Sequence, residues 1–322
     1  MSFDAMRPPN AGSSRRALVT GGAGFIGSHL VDGLLQAGWL VRVLDDLSTG
    51  DEQNLSNVSD RIEFVRGNVC DEETSQLAMQ GVEVVFHEAA LPSVPKSVAH
   101  PLLTNSVNLG GTLCVLEKAR HAGVRRVVFA ASSSAYGNTK VLPKVENLPV
   151  SPQSPYALQK YSSEVYCELY FSLFGLETVA LRYFNIFGPR QNPKSDYAAV
   201  IPSFVSAAVA GNPPVIYGDG EQTRDFTYVE NVVQANLAAA DAPSAPGHVI
   251  NIGAGERTSL NELWSGIKKL VGVDFKARYA GRRAGDVRDS LADLTRAKEL
   301  LGYEPGVDLR EGLRRTIQSF TQ

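Results

Sequence analysis

The sequence predicts a doubly wound α/β protein, in which helices cover both faces of a parallel sheet and a smaller C-terminal domain follows. Through the first two-thirds of the chain, short runs that are nearly continuous in Val, Leu and Phe alternate with helical patterns. Buried parallel strands have this composition because helices cover both of their faces. After about Arg182, Pro and Gly become frequent and the elements become shorter, which indicates a second, differently built part.

Seven segments have the composition of buried strands, and helical patterns separate most of them. The first helix is predicted at Phe25–Ala37 and ends at Gly38, a residue typical of helix C-termini. The last of the seven segments comes late in the chain, so we expect the chain to return to the sheet. In chain order, the predicted strands are Arg16–Thr20, Leu40–Leu44, Ile62–Val65, Glu83–Phe86, Arg126–Phe129, Thr178–Leu181 and His248–Ile252.

Length and composition exclude several classes of protein. The 322 residues suffice for one large or two ordinary domains, and 43 % apolar with 20 % charged residues is typical of a globular chain. With 31 basic against 34 acidic residues, the net charge of −3 predicts no basic surface for nucleic acid. The chain contains no apolar run of the roughly 18 residues that a membrane helix needs, so we expect no membrane partner.

The cysteines and histidines give no sign of a metal site or a disulfide framework. Cys70, Cys114 and Cys167 are odd in number and widely spaced. The five histidines likewise lack the spacing of metal ligands. We therefore expect no metal, and a reduced, cytoplasmic compartment.

A glycine-rich loop, Thr20-Gly-Gly-Ala-Gly-Phe-Ile-Gly27, follows the first predicted strand and opens the first helix. Within it, Gly21 permits a tight turn, Gly24 lets the backbone approach a pyrophosphate, and Gly27 lets the helix pack closely on the strand. The N-terminus of the helix attracts the phosphate charge. This context predicts a Rossmann-type dinucleotide site.

Asp45 ends the second predicted strand, 18 residues after Gly27. An acidic residue at this place accepts hydrogen bonds from a ribose 2′-hydroxyl and repels a 2′-phosphate. The dinucleotide is therefore predicted to be NAD rather than NADP. The alternative, that Asp45 is a local cap, stays open because Asp46, Ser48 and Thr49 are also polar.

Tyr156 and Lys160 lie one helical turn apart and predict a proton-transfer pair. A lysine ammonium would stabilise the phenolate and lower the pKa of Tyr156, which makes it a general base. Ser132 closes the preceding predicted strand, at the edge where open α/β sheets bind ligands. The alternatives are a solvated helix face and a serine loop with local hydrogen bonds.

Together, the glycine loop, Ser132 and the Tyr156–Lys160 pair resemble the extended short-chain dehydrogenase/reductase family, and in particular its nucleotide-sugar epimerases. The resemblance extends from Arg16 to about Phe320. It implies that Tyr156 is the catalytic base, Lys160 its activator and a ribose ligand, and Ser132 the hydroxyl that orients the substrate oxygen. The start of the chain is rich in Pro, Ser and Asn, which predicts a disordered leader at residues 1–15. The change after about Arg182 divides the rest into 16–182, the NAD-binding domain with part of the later chain returning to its sheet, and 183–322, which the resemblance makes mainly a UDP-sugar-binding domain.

The resemblance implies two sets of binding residues. The NAD-binding set is Gly21, Gly24, Phe25, Ile26, Gly27, Asp45, Asp46, Thr49, Gly50, Asn68, Val69, Ala89, Ala90, Tyr156, Lys160 and Tyr183. The substrate-binding set is Ser132, Ser133, Ser134, Asn185, Ala199, Val200, Tyr217, Arg224, Arg283, Asp286 and Ser290. Arg224 and Arg283 match the family's diphosphate arginines, which agrees with the bidentate grip of guanidinium on phosphate.

The residues between Ser132 and Tyr136 narrow the set of reactions that the site could catalyse. Related dehydratases and decarboxylases carry a carboxylate just before the Tyr-Gly of this loop, whereas this chain has Ser133, Ser134 and Ala135. We therefore predict an NAD-dependent UDP-sugar 4-epimerase that acts through a transient 4-keto sugar, with no metal. The alternatives are another nucleotide-sugar oxidoreductase or dehydratase and a non-catalytic NAD-sensing protein.

The small Ser290 resembles epimerases that accept an N-acetyl group, where bacterial UDP-glucose epimerases carry a bulky Tyr. The predicted substrates are therefore UDP-N-acetylglucosamine and UDP-N-acetylgalactosamine, and also UDP-glucose and UDP-galactose. UDP-glucuronate is the close competitor, although Asn185 stands where those epimerases tend to have Thr.

The helical stretch Ala157–Phe174 is apolar on more than one face. A helix that packs only on a sheet needs one apolar stripe, so the excess predicts a second partner. Relatives pair two helices per subunit at a dimer interface, and the resemblance therefore implies a C2 homodimer.

Overall fold

The computed structural model of the chain describes residues 15–193, 199–281 and 287–321. Its strands are β1 (Arg16–Thr20), β2 (Leu40–Asp45), β3 (Ile62–Arg66), β4 (Val84–His87), β5 (Arg126–Ser132), β6 (Glu177–Tyr183), β7 (Asn185–Phe187), β8 (Val215–Tyr217), β9 (Thr223–Arg224), β10 (Phe226–Tyr228), β11 (His248–Ile252), β12 (Thr258–Ser259) and β13 (Arg278–Ala280). Seven parallel strands form one sheet in the order β11-β6-β5-β4-β1-β2-β3.

Helices cover both faces of this sheet. They are α1 (Phe25–Gln36), α2 (Glu72–Ala78), α3 (Val94–Ala99), α4 (Pro101–Asn105), α5 (Gly111–His121), α6 (Pro155–Phe174), α7 (Val200–Val209), α8 (Val229–Asp241), α9 (Leu260–Val271), α10 (Thr295–Leu301) and α11 (Leu309–Thr321). Side chains of α1 and α8 fill the core on one face, and side chains of α2, α5 and α6 fill it on the other. The predicted fold class is confirmed, and each predicted strand lies in the central sheet.

The predicted domain boundary falls inside a strand, because β6 continues to Tyr183. The chain then builds small two-stranded sheets from β7 with β10, β8 with β13, and β9 with β12. A separate core, to which α7, α9 and α11 contribute Phe204, Trp264 and Leu313, packs beside them. Between these parts, α8 and β11 return to the central sheet.

A network of charged residues lies along the amino edge of the sheet. Arg15, which the sequence analysis placed in the leader, donates hydrogen bonds to Glu83 at 2.9 Å and to Asp241 at 2.6 Å. Arg125 donates to the same Glu83 and to Glu177. Residue 15 is therefore held at the first strand, and the rest of the predicted leader lies outside the described residues.

Helix α6 has clear boundaries in the sequence. The side chain of Ser154 accepts a hydrogen bond from the backbone N–H of Ala157, and Pro155 occupies the first turn, where its missing N–H costs nothing. The helix ends at Gly175, which adopts a left-handed conformation with φ of 70°. These signals fix where the helix starts, and hence the heights of Tyr156 and Lys160 above the sheet.

A buried ion pair fastens α6 to β6. Arg182 donates to both carboxylate oxygens of Glu164, with a shortest distance of 2.6 Å, and both side chains are buried. The Arg182 guanidinium also lies 4.7 Å from the centre of the Tyr136 ring. Because both charges are desolvated, such a pair contributes little net stability, but removal of one partner leaves the other charge buried without a counter-charge.

We expect Glu164→Ala to lower the free energy of unfolding by about 3–5 kcal/mol, because Arg182 would remain buried without its counter-charge. Urea denaturation measures the change. The double variant Glu164→Leu/Arg182→Met, which removes both charges, serves as the control and should lose much less stability. Equal losses in the two variants would contradict this account.

Candidate active site

The glycine loop after β1 is packed so closely that larger residues do not fit. Gly21 has φ of +70°, and a Cβ atom on it would lie 2.7 Å from the backbone nitrogen of Ala89. A Cβ on Gly27 would collide with the carbonyl oxygen of Gly21. The loop therefore presents bare backbone at the carboxyl edge of the sheet, as a dinucleotide site requires.

The start of α1 fits a pyrophosphate. Gly24 is the N-terminal cap, without a side-chain hydrogen bond to the helix, and the first turn holds no acidic residue. The unbonded N–H groups and the helix dipole therefore favour an anion here. Phe25 and Ile26 are the first two residues of this turn.

Asp45 and its neighbours have the chemistry of a ribose site. The Asp45 carboxylate is buried and accepts hydrogen bonds from the backbone N–H groups of Ala23 at 2.9 Å and Leu47 at 2.8 Å. Burial raises its pKa, and these backbone bonds oppose the shift. A Cβ on Gly50 would lie 3.1 Å from an Asp45 carboxylate oxygen, so the loop closes tightly around this side chain. A carboxylate acceptor at this place fits the ribose hydroxyls in the adenosine half of NAD.

Asn68 follows β3 and lies beside Asp46. Its side-chain amide donates to an Asp46 carboxylate oxygen at 2.9 Å, and its carbonyl accepts from the backbone of Cys70. Val69 is buried against Gly111, while Thr49 is exposed. Most of the predicted NAD-binding residues thus come from the carboxyl ends of four neighbouring strands, β1 to β4, and the first turn of α1, while Tyr156 and Lys160 lie on α6 and Tyr183 ends β6.

Lys160 reaches the carboxyl end of β5. Its ammonium donates to the carbonyl oxygen of Ala130 at 2.7 Å and lies 4.8 Å from the centre of the Phe129 ring. Burial lowers the pKa of Lys160 to about 8, and the negative charge of Glu88 opposes this shift. Its charge is therefore sensitive to pH near neutrality.

Tyr156 and Ser132 form the reactive pair. The Ser132 hydroxyl interacts with the Tyr156 phenol, and this interaction favours the phenolate and opposes the rise of the Tyr156 pKa. Burial nevertheless raises the pKa of Tyr156 to about 12, and Glu88 adds to the shift. The expectation that Lys160 lowers this pKa is wrong for this structure, because desolvation dominates and the ammonium is directed at Ala130.

The serine loop after β5 is held by its own hydrogen bonds. Ser132 caps a short 3₁₀ turn and accepts from the backbone and the hydroxyl of Ser134, the latter at 2.9 Å. Ser133 lies within the same turn. The turn ends at Gly137, where φ of +59° and a close approach to Ser151 exclude a side chain.

Glu88, which sequence reasoning missed, lies directly after β4. The Tyr183 hydroxyl donates to a Glu88 carboxylate oxygen at 2.7 Å and accepts from the Asn236 amide at 2.7 Å. Burial raises the pKa of Glu88 to about 7, while Tyr183 and the charge of Lys160 favour its ionised form. A carboxylate at the carboxyl end of a buried strand was the available signal. The hydroxyl of Tyr183, a predicted NAD ligand, is engaged within the protein.

His87 precedes Glu88 and is held in a neutral form. Its ring nitrogens lie 2.7 Å from the Thr20 hydroxyl and 3.0 Å from the Thr112 hydroxyl. Burial lowers the pKa of His87 to about 3, with a further contribution from Lys160. The histidine therefore supports the strand ends and carries no charge at neutral pH.

Apart from the serine loop, the predicted substrate residues are spread over the second half of the chain. Asn185 is exposed at the start of β7, Tyr217 ends β8, and Ala199 and Val200 open α7. Arg283 and Asp286 lie outside the described residues.

Arg224 and the buried Ser290 are neighbours. The Ser290 backbone donates to the carbonyl of Thr223 at 3.2 Å, and the Arg224 guanidinium donates to the carbonyl of Thr223 at 2.9 Å. The structure thus brings together one predicted diphosphate ligand and the predicted size-selecting residue.

Neither a metal cluster nor a membrane span is found in the part of the chain that the structure describes. Residues 15–193, 199–281 and 287–321 contain no group of three or more His, Cys, Asp and Glu side chains placed to hold a metal ion. Over the same residues, every helix is too short or too polar to cross a membrane.

Together, the glycine loop and the Tyr156–Lys160–Ser132 group on a doubly wound sheet define a dinucleotide-dependent enzyme of the short-chain dehydrogenase/reductase type. Residues 17–253 match the NAD dependent epimerase/dehydratase family, and the chain belongs to that family. The resemblance found in the sequence is thereby confirmed.

Similar proteins cover nearly the whole chain. UDP-glucose 4-epimerase of Mycolicibacterium smegmatis is 43 % identical over 95 % of this chain and 98 % of its own. UDP-N-acetylglucosamine 4-epimerase of Methanobrevibacter ruminantium, solved with UDP-N-acetylmuramic acid, superimposes with a TM-score of 0.92 at 39 % identity, covering 96 % of this chain and 98 % of its own. UDP-glucose 4-epimerase of Thermotoga maritima, solved with UDP-glucose, gives 0.91 at 42 % identity and covers 95 % and 98 %.

Proposed function

We propose that this protein is an NAD-dependent 4-epimerase of UDP-sugars, with UDP-N-acetylglucosamine and UDP-N-acetylgalactosamine as its preferred pair. The observation that carries the proposal is the serine loop. The Ser132 hydroxyl interacts with the phenol of Tyr156. The loop from Ser132 to Tyr136 contains no carboxylate for elimination of water. Similar proteins include epimerases of UDP-glucose and of UDP-N-acetylglucosamine.

The protein's own groups supply the proton transfer. The phenolate of Tyr156 takes the proton of the C4 hydroxyl and later returns it. Ser132 holds the substrate oxygen during both steps, because its hydroxyl can donate and accept. When bound, NAD would supply the hydride acceptor that oxidation of C4 needs.

Lys160, whose ammonium donates to the Ala130 carbonyl at the carboxyl end of β5, is placed to bind the ribose of the cofactor. Arg224, and Arg283 outside the described residues, hold the diphosphate while the sugar turns over. Because the same hydride and the same proton come back, the reaction leaves no net oxidation.

Separate incubations with UDP-N-acetylglucosamine, UDP-glucose and UDP-glucuronate, followed by chromatography of the products, test the proposal. We expect the first to be converted most efficiently and UDP-glucose to be accepted. Conversion of UDP-glucuronate alone would favour the competing 4-epimerase. Net accumulation of reduced nicotinamide would instead indicate an oxidoreductase.

Tyr156→Phe should lower turnover by at least about 10²–10⁴-fold, the loss typical of a missing acid–base group. Folding and NAD binding should survive because the ring remains. Steady-state kinetics and calorimetric titration with NAD measure the two effects. Near-normal turnover would show that another group is the base.

Ser290→Tyr should reduce kcat/KM for UDP-N-acetylglucosamine by roughly ten- to a hundred-fold. A ring at this buried position overpacks the site, at a cost of about 1–3 kcal/mol. UDP-glucose, which has only a hydroxyl at C2, is the internal control and should lose much less. An equal loss on both substrates, or no loss on either, would remove Ser290 as the selector.

We further propose that the protein is a C2 homodimer built on α6 and the neighbouring α4. Leu158, Val165 and Leu169 lie on one face of α6 and are 37–55 % exposed, and Leu102 on α4 is 87 % exposed. Such a continuous apolar face is unusual on a monomer. The three free cysteines agree with a cytoplasmic location.

Light scattering at micromolar concentration should report a dimer for the native chain and a monomer for Leu169→Glu, because a charge in the interface would be desolvated. The matched control is Leu77→Glu on α2, an exposed leucine on a helix other than α4 and α6, and this variant should stay dimeric. Dissociation of both variants, or of neither, would contradict the proposed interface.

A further inference from the structure

The buried Ser290 lies in a segment without regular structure. Residues 288–292, all of which the structure describes and which we call the selector segment, belong to no helix or strand. Such a segment has no hydrogen-bonded ladder of its own, so its place depends on bonds from other parts of the chain. The space that Ser290 leaves for a sugar depends on the same bonds.

Strand β9 holds the selector segment from one side. The N–H of Thr223 donates to the carbonyl of Arg288 at 3.0 Å, and its hydroxyl donates to the carboxylate of Asp289 at 2.6 Å. The N–H of Ser290 donates back to the carbonyl of Thr223. Arg224, the predicted diphosphate ligand, is the next residue of β9. The selector segment is therefore aligned with the strand that carries this arginine.

A second set of hydrogen bonds joins the selector segment to the serine loop. The N–H of Lys144 donates to the carbonyl of Leu291 at 2.8 Å, and the carbonyl of Lys144 accepts from the side-chain amide of Asn251 at 2.8 Å. The side-chain oxygen of Asn251 accepts in turn from the hydroxyl of Tyr136 at 2.7 Å. Tyr136 is the last residue of the serine turn, so one path of hydrogen bonds connects that turn with the selector segment.

Asp225 directly follows β9 and is fully buried. Its carboxylate accepts from the backbone N–H groups of Ala254 at 2.7 Å, Gly255 at 3.1 Å and Ala292 at 3.1 Å. The hydroxyl of Thr227 donates a fourth hydrogen bond at 3.2 Å. Because an ionised carboxylate only accepts and each of these four groups donates, the residue type matches its surroundings. Asp225 thus binds the selector segment and the loop after β11 together.

Gly253 allows the selector segment to approach this carboxylate. A Cβ atom on Gly253 would lie 2.6 Å from the Cβ of Ala292 and 2.8 Å from a carboxylate oxygen of Asp225. Both distances are too short for real contacts, so a methyl group here would push the segment and the carboxylate apart. The close contact between Ala292 and Asp225 therefore depends on a glycine at the end of β11.

We propose that Asp225 is a positioning residue for sugar selection: its carboxylate holds the N–H of Ala292 and so keeps Ser290, two residues earlier, in place beside β9. Asp225 acts through the backbone of the selector segment and not through contact with the sugar. The inference rests on the proposed function for its kinetic test, and on the hydrogen bonds above for its structural test.

The kinetic test compares Asp225→Ala with the native enzyme on UDP-N-acetylglucosamine and UDP-glucose. Removal of the carboxylate leaves the N–H of Ala292 without its acceptor and frees the selector segment to move. The wall beside the N-acetyl group is then poorly defined, whereas UDP-glucose has only a hydroxyl there. We expect the ratio of the two kcat/KM values to fall about tenfold, the size of effect typical of a lost buried hydrogen bond.

Asn231→Ala is the matched control. Asn231 is fully buried on α8, and its side chain accepts from the backbone N–H groups of Gly306 and Val307. Its truncation also removes buried backbone bonds, so it should lower stability but keep the native ratio of kcat/KM values. A native ratio in Asp225→Ala, or an equal change of the ratio in both variants, overturns the proposal.

Hydrogen exchange measured by mass spectrometry gives a readout that does not need turnover. In Asp225→Ala, peptides that cover residues 288–293 should exchange faster than in the native protein, while peptides that cover β5 keep their native rates. Unchanged exchange at the selector segment, or an equal increase across the central sheet, overturns the proposal. Failure of the proposed function appears differently, as a native protein that converts no UDP-sugar while exchange at the selector segment still rises in the variant.

Gly253→Ala covers the case in which Asp225→Ala does not fold. The added methyl group separates Ala292 from the carboxylate but leaves Asp225 in the chain. Exchange at residues 288–293 should rise and the ratio of kcat/KM values should fall, as expected for Asp225→Ala. Native exchange together with a native ratio in a folded Gly253→Ala protein would overturn the proposal.

Discussion

The buried ion pair between Glu164 and Arg182 lies one helical turn beyond Lys160, on the side of α6 that faces the sheet. It fixes the rotation of that helix against β6. Lys160 and its contact with Ala130 depend on the same rotation, and so does the placing of Tyr156 beside Ser132. Helix α6 therefore positions Tyr156 and Lys160, and β5 positions Ser132.

Desolvation dominates the electrostatics of the site. It raises the pKa values of Tyr156 and Glu88 and lowers that of Lys160. A buried group that carries a charge without a partner costs free energy. This explains why these three side chains have partners from several elements. Tyr183 and Asn236 reach Glu88 from β6 and α8, so parts of the chain distant in sequence determine its charge.

The sequence was sufficient for the sheet because buried parallel strands are apolar without interruption, and for the glycine loop because close packing excludes every larger residue. Strand ends such as Tyr183 were missed by a residue or two, since hydrogen-bonded pairing continues where the apolar pattern stops. Glu88 was missed because the groups that interact with its carboxylate, Tyr183 and Lys160, are far away in sequence. The pKa of Tyr156 was misjudged because spacing reveals the neighbouring charge but not the depth of burial.

The two edges of the central sheet have opposite chemistry. Its carboxyl edge bears the reactive groups, whereas its amino edge bears the charged network of Arg15, Glu83, Arg125, Glu177 and Asp241. Each strand is only a few residues long, yet this length separates the network from the reacting atoms. Substitutions at the carboxyl edge can therefore change specificity while the charged network at the amino edge stays intact. Catalytic activity and folding stability can then evolve independently.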